Sequence, residues 1–316
     1  MAKKRFDLKE KPNYEFMKNF SLGSIPDLDT CVLGALEMFS SEKLEQIKIP
    51  KHKRMIVVGS GNALAAGRII FEKQDAVFAS ESDYKKKLKE TKFDLGVVVS
   101  ASGKKHAPRI SKKLSDEGLK TVLITNNSSA PAKKYVDKAF TLPKQREPYT
   151  YNTSTYLSMI FAREGEKPEK IYNHLEEVDK KLNKDFSKYE SYFLVVPSKF
   201  DSVREMLVTK FDELFGPKIN GRVYTEEQIK HAKTVIKDKK ELFISFGVEN
   251  KNFGYKSNRL EVPLPNKAGF GAMIATAYYV IGKIQKSKEP WFKENIKDYT
   301  EKISKIFNQK IKSIVE

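Results

Sequence analysis

Two serines, a glycine and two lysines follow an apolar run in VVVSASGKKHAP, residues 97–108. Hydroxyls supply hydrogen bonds, glycine lets backbone approach a ligand closely, and lysine holds an anion as a point charge. At the carboxyl end of a strand in an open parallel sheet, such a turn faces the crevice where ligands bind. The helix behind it offers its positive end to a negative group. Ser100, Ala101, Ser102, Gly103 and Lys105 therefore fit a cradle for a phosphate ester, and they equally fit a plain polar turn with solvated lysines. A second turn, Gly59-Ser60-Gly61, closes the β-branched run RMIVVGSG. It matches the start of a dinucleotide fingerprint, but Leu64 stands where the third glycine belongs, and no acidic residue closes a well-placed second strand about 20 residues on.

Both turns need strands and helices to hold them. RMIVVGSG leads into a helical NALAAGRIIFEKQ, and FDLGVVVSASG leads into APRISKKLSDEG. In the latter helix Ile110 and Leu114 share a face, Pro108 suits the first turn and Gly118 the stop. KTVLITNNSS and AFTLP read as further strands, with a helical APAKKYVDK between them. Strands alternating with helices imply a parallel sheet with crossovers on both faces. A connecting helix over 167–186 shows an apolar stripe at Ile171, Leu175, Val178, Leu182 and Phe186, with His174 off the stripe.

The pattern then returns. SYFLVVPSKF echoes the first strand, DSVREMLVTKFDELFG reads as a helix stopped at Gly216, and ELFISFG echoes FDLGVVVS. RLEVPLPNKAGFGAMIATAYYVIG echoes the segment from Lys138 to Ala162. The chain reads as an internal duplication. Too few residues separate ELFISFG from RLEVPLP for a crossover helix and a strand, so the second copy is expected to lack one βα unit. The expected organisation is an N-terminal helical extension (1–50), a first domain (51–165), a connecting helix (166–188), a shortened second domain (189–285) and a C-terminal helix (286–316). That last helix carries Ile296, Tyr299, Ile303, Ile306 and Ile314 at helical spacing and would suit packing on another subunit.

At 316 residues the chain has room for two domains. Its net charge of +18 is spread along the whole length, with tight blocks only at Lys3-Lys4-Arg5 and Lys85-Lys86-Lys87, so it reads as a solvated lysine-rich surface and not as a nucleic-acid or membrane interface. A single cysteine, Cys31, excludes a disulfide framework within the chain and fits a reducing cytoplasm. The N-terminus lacks a signal core, and the apolar-rich run at 269–282 falls short of the ~20 residues a membrane span needs. His52, His106, His174 and His231 show no ligand spacing, so neither metal nor cofactor is expected.

On these residues the first half resembles the SIS (sugar isomerase) domain family, whose phosphate loop reads Ser-x-Ser-Gly-x-Thr/Ser. VVGSGNALAAG resembles its opening strand and glycine turn. TVLITNNSSAPAKKYVDKAFTLP resembles its later strands, and EPYTYNTSTYLSMIF its glutamate followed by a polar helix start. The likeness covers residues 50–163 closely and 190–285 loosely. It implies an α/β protein of two tandem flavodoxin-like SIS domains, parallel sheets flanked by helices, the second shortened. The whole resembles double-SIS phosphosugar isomerases and deaminases, such as the isomerase half of glucosamine-6-phosphate synthase.

Carried over residue by residue, the resemblance implies that Ser100 and Ser102 hold phosphate, with Lys105 where the family has Thr or Ser. Asn152 and Thr153 match its small polar pair, and Gly59, Ser60 and Gly61 the turn that lines the sugar pocket. Glu213, with Asp212 beside it as second candidate, matches the base that moves a proton between adjacent carbons. His231 matches the ring-opening histidine that relatives place in a neighbouring subunit's site, though Ala232 replaces the glycine expected after it. Thr225 and Gln228 would by themselves cap that helix as a surface element. The family's C-terminal lysine motif finds no clear match, and no nucleophilic cysteine follows Met1, so glutamine-driven amide transfer is not expected. The implied ligand is a phosphorylated sugar such as fructose 6-phosphate or glucosamine 6-phosphate, the implied assembly a homodimer. The alternative is a sugar-phosphate sensor without turnover.

Overall fold

The structure is a computed structural model that describes residues 11–42 and 44–316; the Lys3-Lys4-Arg5 block lies outside them. The chain divides into two compact units. One takes residues 42–144 and 155–165; the other takes those up to Ser41 together with 145–154 and 166–316. Two helices open the described chain, α1 (Pro12–Asn19) and α2 (Leu28–Ser41).

The unit after them is built from β1 (Met55–Gly59), α3 (Asn62–Ile70), β2 (Ala76–Ser80), α4 (Tyr84–Glu90), β3 (Leu95–Val99), α5 (Ala107–Asp116), β4 (Lys120–Thr125) and β5 (Lys138–Thr141). Its sheet runs β2-β1-β3-β4-β5, and every pairing is parallel. β1 and β3 are buried at every residue, as central strands covered on both faces must be, which is why they read as unbroken apolar runs. The edge strand β2 is only partly buried, and neither it nor α4 stood out in the sequence. The helix expected over APAKKYVDK is one 3₁₀ turn, Pro131–Tyr135. It stops because Asp137 is drawn back to the sheet, its carboxylate accepting from Thr121 N at 2.6 Å. In α5, Ile110 and Leu114 are buried, Pro108 lies in the first turn, and Gly118 leaves the helix at φ +76°.

The other unit continues with β6 (Glu147–Pro148), α6 (Thr153–Glu164, whose first two residues it owns), α7 (Pro168–Asp179), β7 (Ser191–Val196), α8 (Arg204–Phe215), β8 (Asn220–Thr225), α9 (Gln228–His231), β9 (Glu241–Phe246), β10 (Arg259–Val262), α10 (Phe270–Lys286), α11 (Trp291–Phe307) and β11 (Ile314–Val315). Its main sheet is parallel in the order β10-β9-β7-β8, the pattern of the first sheet with one strand fewer. Between β9 and β10 only a 3₁₀ turn, Lys256–Asn258, is formed, as the short spacing requires. The connecting helix is shorter than expected: α7 ends at Asp179, and Phe186 is buried from a separate 3₁₀ turn.

The apolar run at 269–282 is the buried helix α10. Its Gly282 lets α2 come so close that a Cβ there would overlap the backbone of Asp29. Leu28 N donates to Gln285 Oε1 at 2.9 Å, and Lys286 Nζ meets Asp29 Oδ2 at 2.6 Å across the same crossing. One expectation is corrected at the C-terminal end. Asn308 ends α11 in the left-handed conformation, φ 47°, so Ile314 leaves the helical stripe and joins β11, antiparallel to β6.

Candidate functional site

In the first unit the strand order reverses beside β1, and β3 is its neighbour on one side. The register pairs Val58 with Val98, so the turns Gly59-Ser60-Gly61 and Ser100-Ala101-Ser102-Gly103 leave the sheet side by side at its carboxyl edge. This is the switch point at which open α/β sheets bind ligands. A Cβ on Gly59 would press on the backbone of Leu64, so the bare residue allows β1 to fold straight into α3. Gly61, at φ +51°, caps that helix.

The serine turn is held from behind. The carbonyl of Ala101 accepts from Asn126 N at 2.9 Å and Thr125 Oγ1 at 3.0 Å, and that of Ser102 from Asn127 Nδ2 at 2.8 Å. The Gly103 carbonyl accepts from Ala132 N, and a Cβ on Gly103, at φ +59°, would overlap Ala130. With its carbonyls engaged from behind, the loop keeps two of its amides for the turn itself and leaves two open. Gly103 N donates to Ser100 Oγ at 3.2 Å and Lys104 N to Ser102 Oγ at 3.3 Å, while the amides of Ala101 and Ser102 find no acceptor among the described residues. Each serine hydroxyl thus accepts from the turn and keeps its own proton for another group. Ser102, Lys104 and Lys105 are exposed, Ser100 is half-buried, and α5 begins directly behind them. Asn126 anchors the turn from a buried position, its Nδ2 donating to Leu142 O and to Ser158 Oγ.

The second unit gathers a different set. Glu147 is buried and accepts from the amides of Thr153 (2.7 Å) and Ser154 (2.8 Å), capping α6; Gln145 Nε2 bridges it to the Cys31 carbonyl. Burial pushes the Glu147 carboxyl up from its usual range, against the pull of those donors. Burial likewise raises the Cys31 thiol and the Tyr151 phenol. Between Glu147 and Thr153 the chain twice takes positive φ at non-glycine residues, Thr150 (74°) and Asn152 (49°). Such backbone costs on the order of 1–3 kcal/mol per residue and persists only where its surroundings over-determine it.

Lys210 does so here. Its side chain is 1% exposed, and its ammonium donates to the carbonyls of Thr150 (2.8 Å) and Tyr151 (2.7 Å) and to Glu213 Oε2 (2.6 Å). Glu213, 16% exposed, is therefore tied to the strained turn that carries Asn152 and Thr153. Thr153 Oγ1 is buried without a hydrogen-bond partner among the described residues. The C-terminal strand β11 reinforces the same segment, with Tyr149 N donating to Ser313 O at 2.8 Å.

His231 stands apart from this cluster. Its side chain is 82% exposed, 4.0 Å from Glu227, on a one-turn helix closed by the reciprocal Thr225–Gln228 bonds that the sequence foretold. Asp212 is exposed. Lys210 and β11 were missed in the sequence. The available signal for Lys210 was its place one helical turn before Glu213; the residues it bonds at 150 and 151 are far away along the chain.

No family model and no curated protein matches the sequence. Solved structures match it along most of its length. The C-terminal domain of glucosamine-fructose-6-phosphate aminotransferase from Francisella tularensis is similar at 14% identity over 90% of this chain and 97% of that one, with a TM-score of 0.56. Tagatose-6-phosphate ketose/aldose isomerase from Escherichia coli is similar at 11% identity over 88% and 90%, TM-score 0.54. Glucosamine-6-phosphate deaminase from Thermotoga maritima is similar at 13% identity over 89% and 92%, TM-score 0.53. At these identities the likeness is one of fold. The fold they share with this chain is α/β, with parallel flavodoxin-like sheets flanked by helices, as the resemblance read from the sequence implied.

Proposed function

We propose that the chain binds a phosphorylated sugar at the Ser100–Gly103 turn and either interconverts its ketose and aldose forms or deaminates an amino-sugar phosphate. The observation that carries this reading is the turn itself: two amides without an acceptor among the described residues, two hydroxyls with protons to give, and a helix start, all at the switch point of a parallel sheet. Lys105 adds charge at its rim. An isomerase and a deaminase of sugar phosphates among the structures of like fold support the ligand class.

In this reading Gly59, Ser60 and Gly61 line the sugar beside the serine turn of their own unit. Within the other unit the family resemblance assigns sugar contacts to Asn152 and Thr153 and proton transfer to Glu213. The ion pair with Lys210 fixes the direction of the Glu213 carboxylate. His231, with no buried partner among the described residues, would open the sugar ring only in a site completed by a second copy of the chain.

A second reading is a sensor that binds without turnover. It is favoured by a specific observation: Glu213 already neutralises a buried lysine, and His231 faces solvent. One set of measurements separates the two. A thermal-shift screen over hexose, pentose and amino-sugar phosphates identifies the ligand, because a ligand stabilises only the folded state that binds it. Ser102→Ala should then weaken that ligand by ~1–3 kcal/mol. If the protein is an enzyme, Glu213→Gln should slow conversion of fructose 6-phosphate or glucosamine 6-phosphate at least ~10²-fold. Binding without conversion, unchanged by Glu213→Gln, establishes the sensor. Unaltered affinity in Ser102→Ala would end both readings.

A further inference from the structure

The C-terminal half of α11 and the segment 310–314 border an open surface cleft of about 790 Å³, lined by none of the residues proposed above to touch a sugar phosphate. Its size falls within the ~300–1,000 Å³ range of small-molecule sites. Lys297, Lys305, Lys310 and Lys312 line it, against the two carboxylates of Glu301 and Glu316. Glu316 is engaged elsewhere, by Arg146 at 3.8 Å. None of the four lysines forms an ion pair among the described residues, whereas Lys302 on the same helix, outside the cleft, is paired with Asp298 at 2.7 Å.

The hydroxyls of the cleft are already used to fix its wall. Ile311 N donates to Ser304 Oγ at 3.0 Å, Thr300 Oγ1 and Ser313 Oγ lie 2.9 Å apart, and Ser304 Oγ donates to Thr300 O. What remains for a visitor is the four ammonium ions and the Glu301 carboxylate, a net positive charge. Four like charges around one hollow repel one another, and a multiply charged anion between them removes that cost. The wall is also the segment that runs into β11, whose pairing with β6 braces the chain just ahead of the Thr150–Asn152 turn.

We infer that this cleft is a second anion site, built for a small phosphorylated molecule bearing two or more negative charges, and that its occupancy steadies the C-terminal strand. The inference stands whether or not the Ser100 turn holds a sugar phosphate. Pyrophosphate is the probe, titrated calorimetrically into the full chain carrying Ser102→Ala, so that the first turn contributes little heat. Adding Lys305→Glu and Lys310→Glu should weaken pyrophosphate at least tenfold with the melting temperature of the unliganded protein kept. Reversing Lys85 and Lys86 on α4 should leave the affinity alone. The inference is overturned if pyrophosphate does not bind, if the cleft reversals leave its affinity unchanged, or if the α4 reversals weaken it equally. It is also overturned if a short DNA duplex binds more tightly than pyrophosphate and is lost in the same variant, which would make the patch a nucleic-acid surface.

Discussion

β3 and β9 hold the same place in their sheets, each beside the strand where the order reverses, yet their carboxyl ends do different work. After Val99 the chain makes an outward-facing serine turn and enters a helix. After Phe246 it reverses at Gly247, φ +62°, whose amide donates to Val262 O at 2.8 Å and whose open side lies against Leu264. The loop beyond Gly247 closes on itself: the Arg259 guanidinium donates to the carbonyls of Phe253 and Gly254, and Asn250 pairs with Phe253. The strand order that creates a crevice is present twice; among the described residues a serine turn running into a helix follows β3 and not β9. Topology supplies the place, and the turn after the strand decides whether the place binds.

One unit thus carries the serine turn proposed to bind a ligand and the other a buried charge pair, and the contrast can be tested from both sides. The largest effect is expected at Lys210. Lys210→Ala takes the buried ammonium from Glu213 and from the carbonyls of Thr150 and Tyr151, so urea unfolding should report a loss of ~3–5 kcal/mol; a loss under ~1 kcal/mol would mean that the turn holds its shape without it. Next come the two glycines. Gly103→Ala and Gly247→Ala both force a side chain into positive φ, and each should cost ~1–3 kcal/mol of stability. Only Gly103→Ala should also weaken the phosphosugar found by the screen. Equal loss of affinity in both would erase the distinction between the two tips.

The smallest effect is a slope. Burial raises the Glu147 carboxyl in the folded state, so its contribution is fully present below the unfolded value of ~4.3 and is lost as pH rises through the folded value. Wild-type stability should therefore drift downward over that window as pH increases, and Glu147→Gln, which cannot ionise, should flatten the drift in denaturation midpoints. A steeper drift in the variant would mean that the folded state lowers this carboxyl instead of raising it.

Much of this arrangement was readable in the sequence where a single local cause decided it. β1 and β3 were legible because strands covered on both faces need unbroken apolar residues, and Pro108 and Gly118 bracket α5 by backbone chemistry alone. The Thr225–Gln228 closure likewise follows from two residues three apart. β2 was not legible, since an edge strand of mixed residues carries no such pattern. The helix expected over 130–138 failed because Asp137 answers to Thr121 on another strand, not to its own neighbours. Ile314 fits the helical spacing of α11 but lies beyond the left-handed Asn308, and its partner strand is at 147–148. The candidate serines and glycines announced themselves by type. Lys210 did not, because a lysine is ordinarily a surface residue, and its burial is dictated by carbonyls sixty residues earlier.

The near-contact of α2 and α10 restricts how this protein can diverge. Because the main chain of Asp29 fills the volume that even one methyl group at residue 282 would need, that position accepts nothing larger than hydrogen unless the whole first helix layer moves away. Descendants of this sequence can exchange most of the apolar faces around the crossing, provided their volumes add up, but the bare residue must be inherited unchanged or be preceded by a shift that also abandons the Leu28–Gln285 bond.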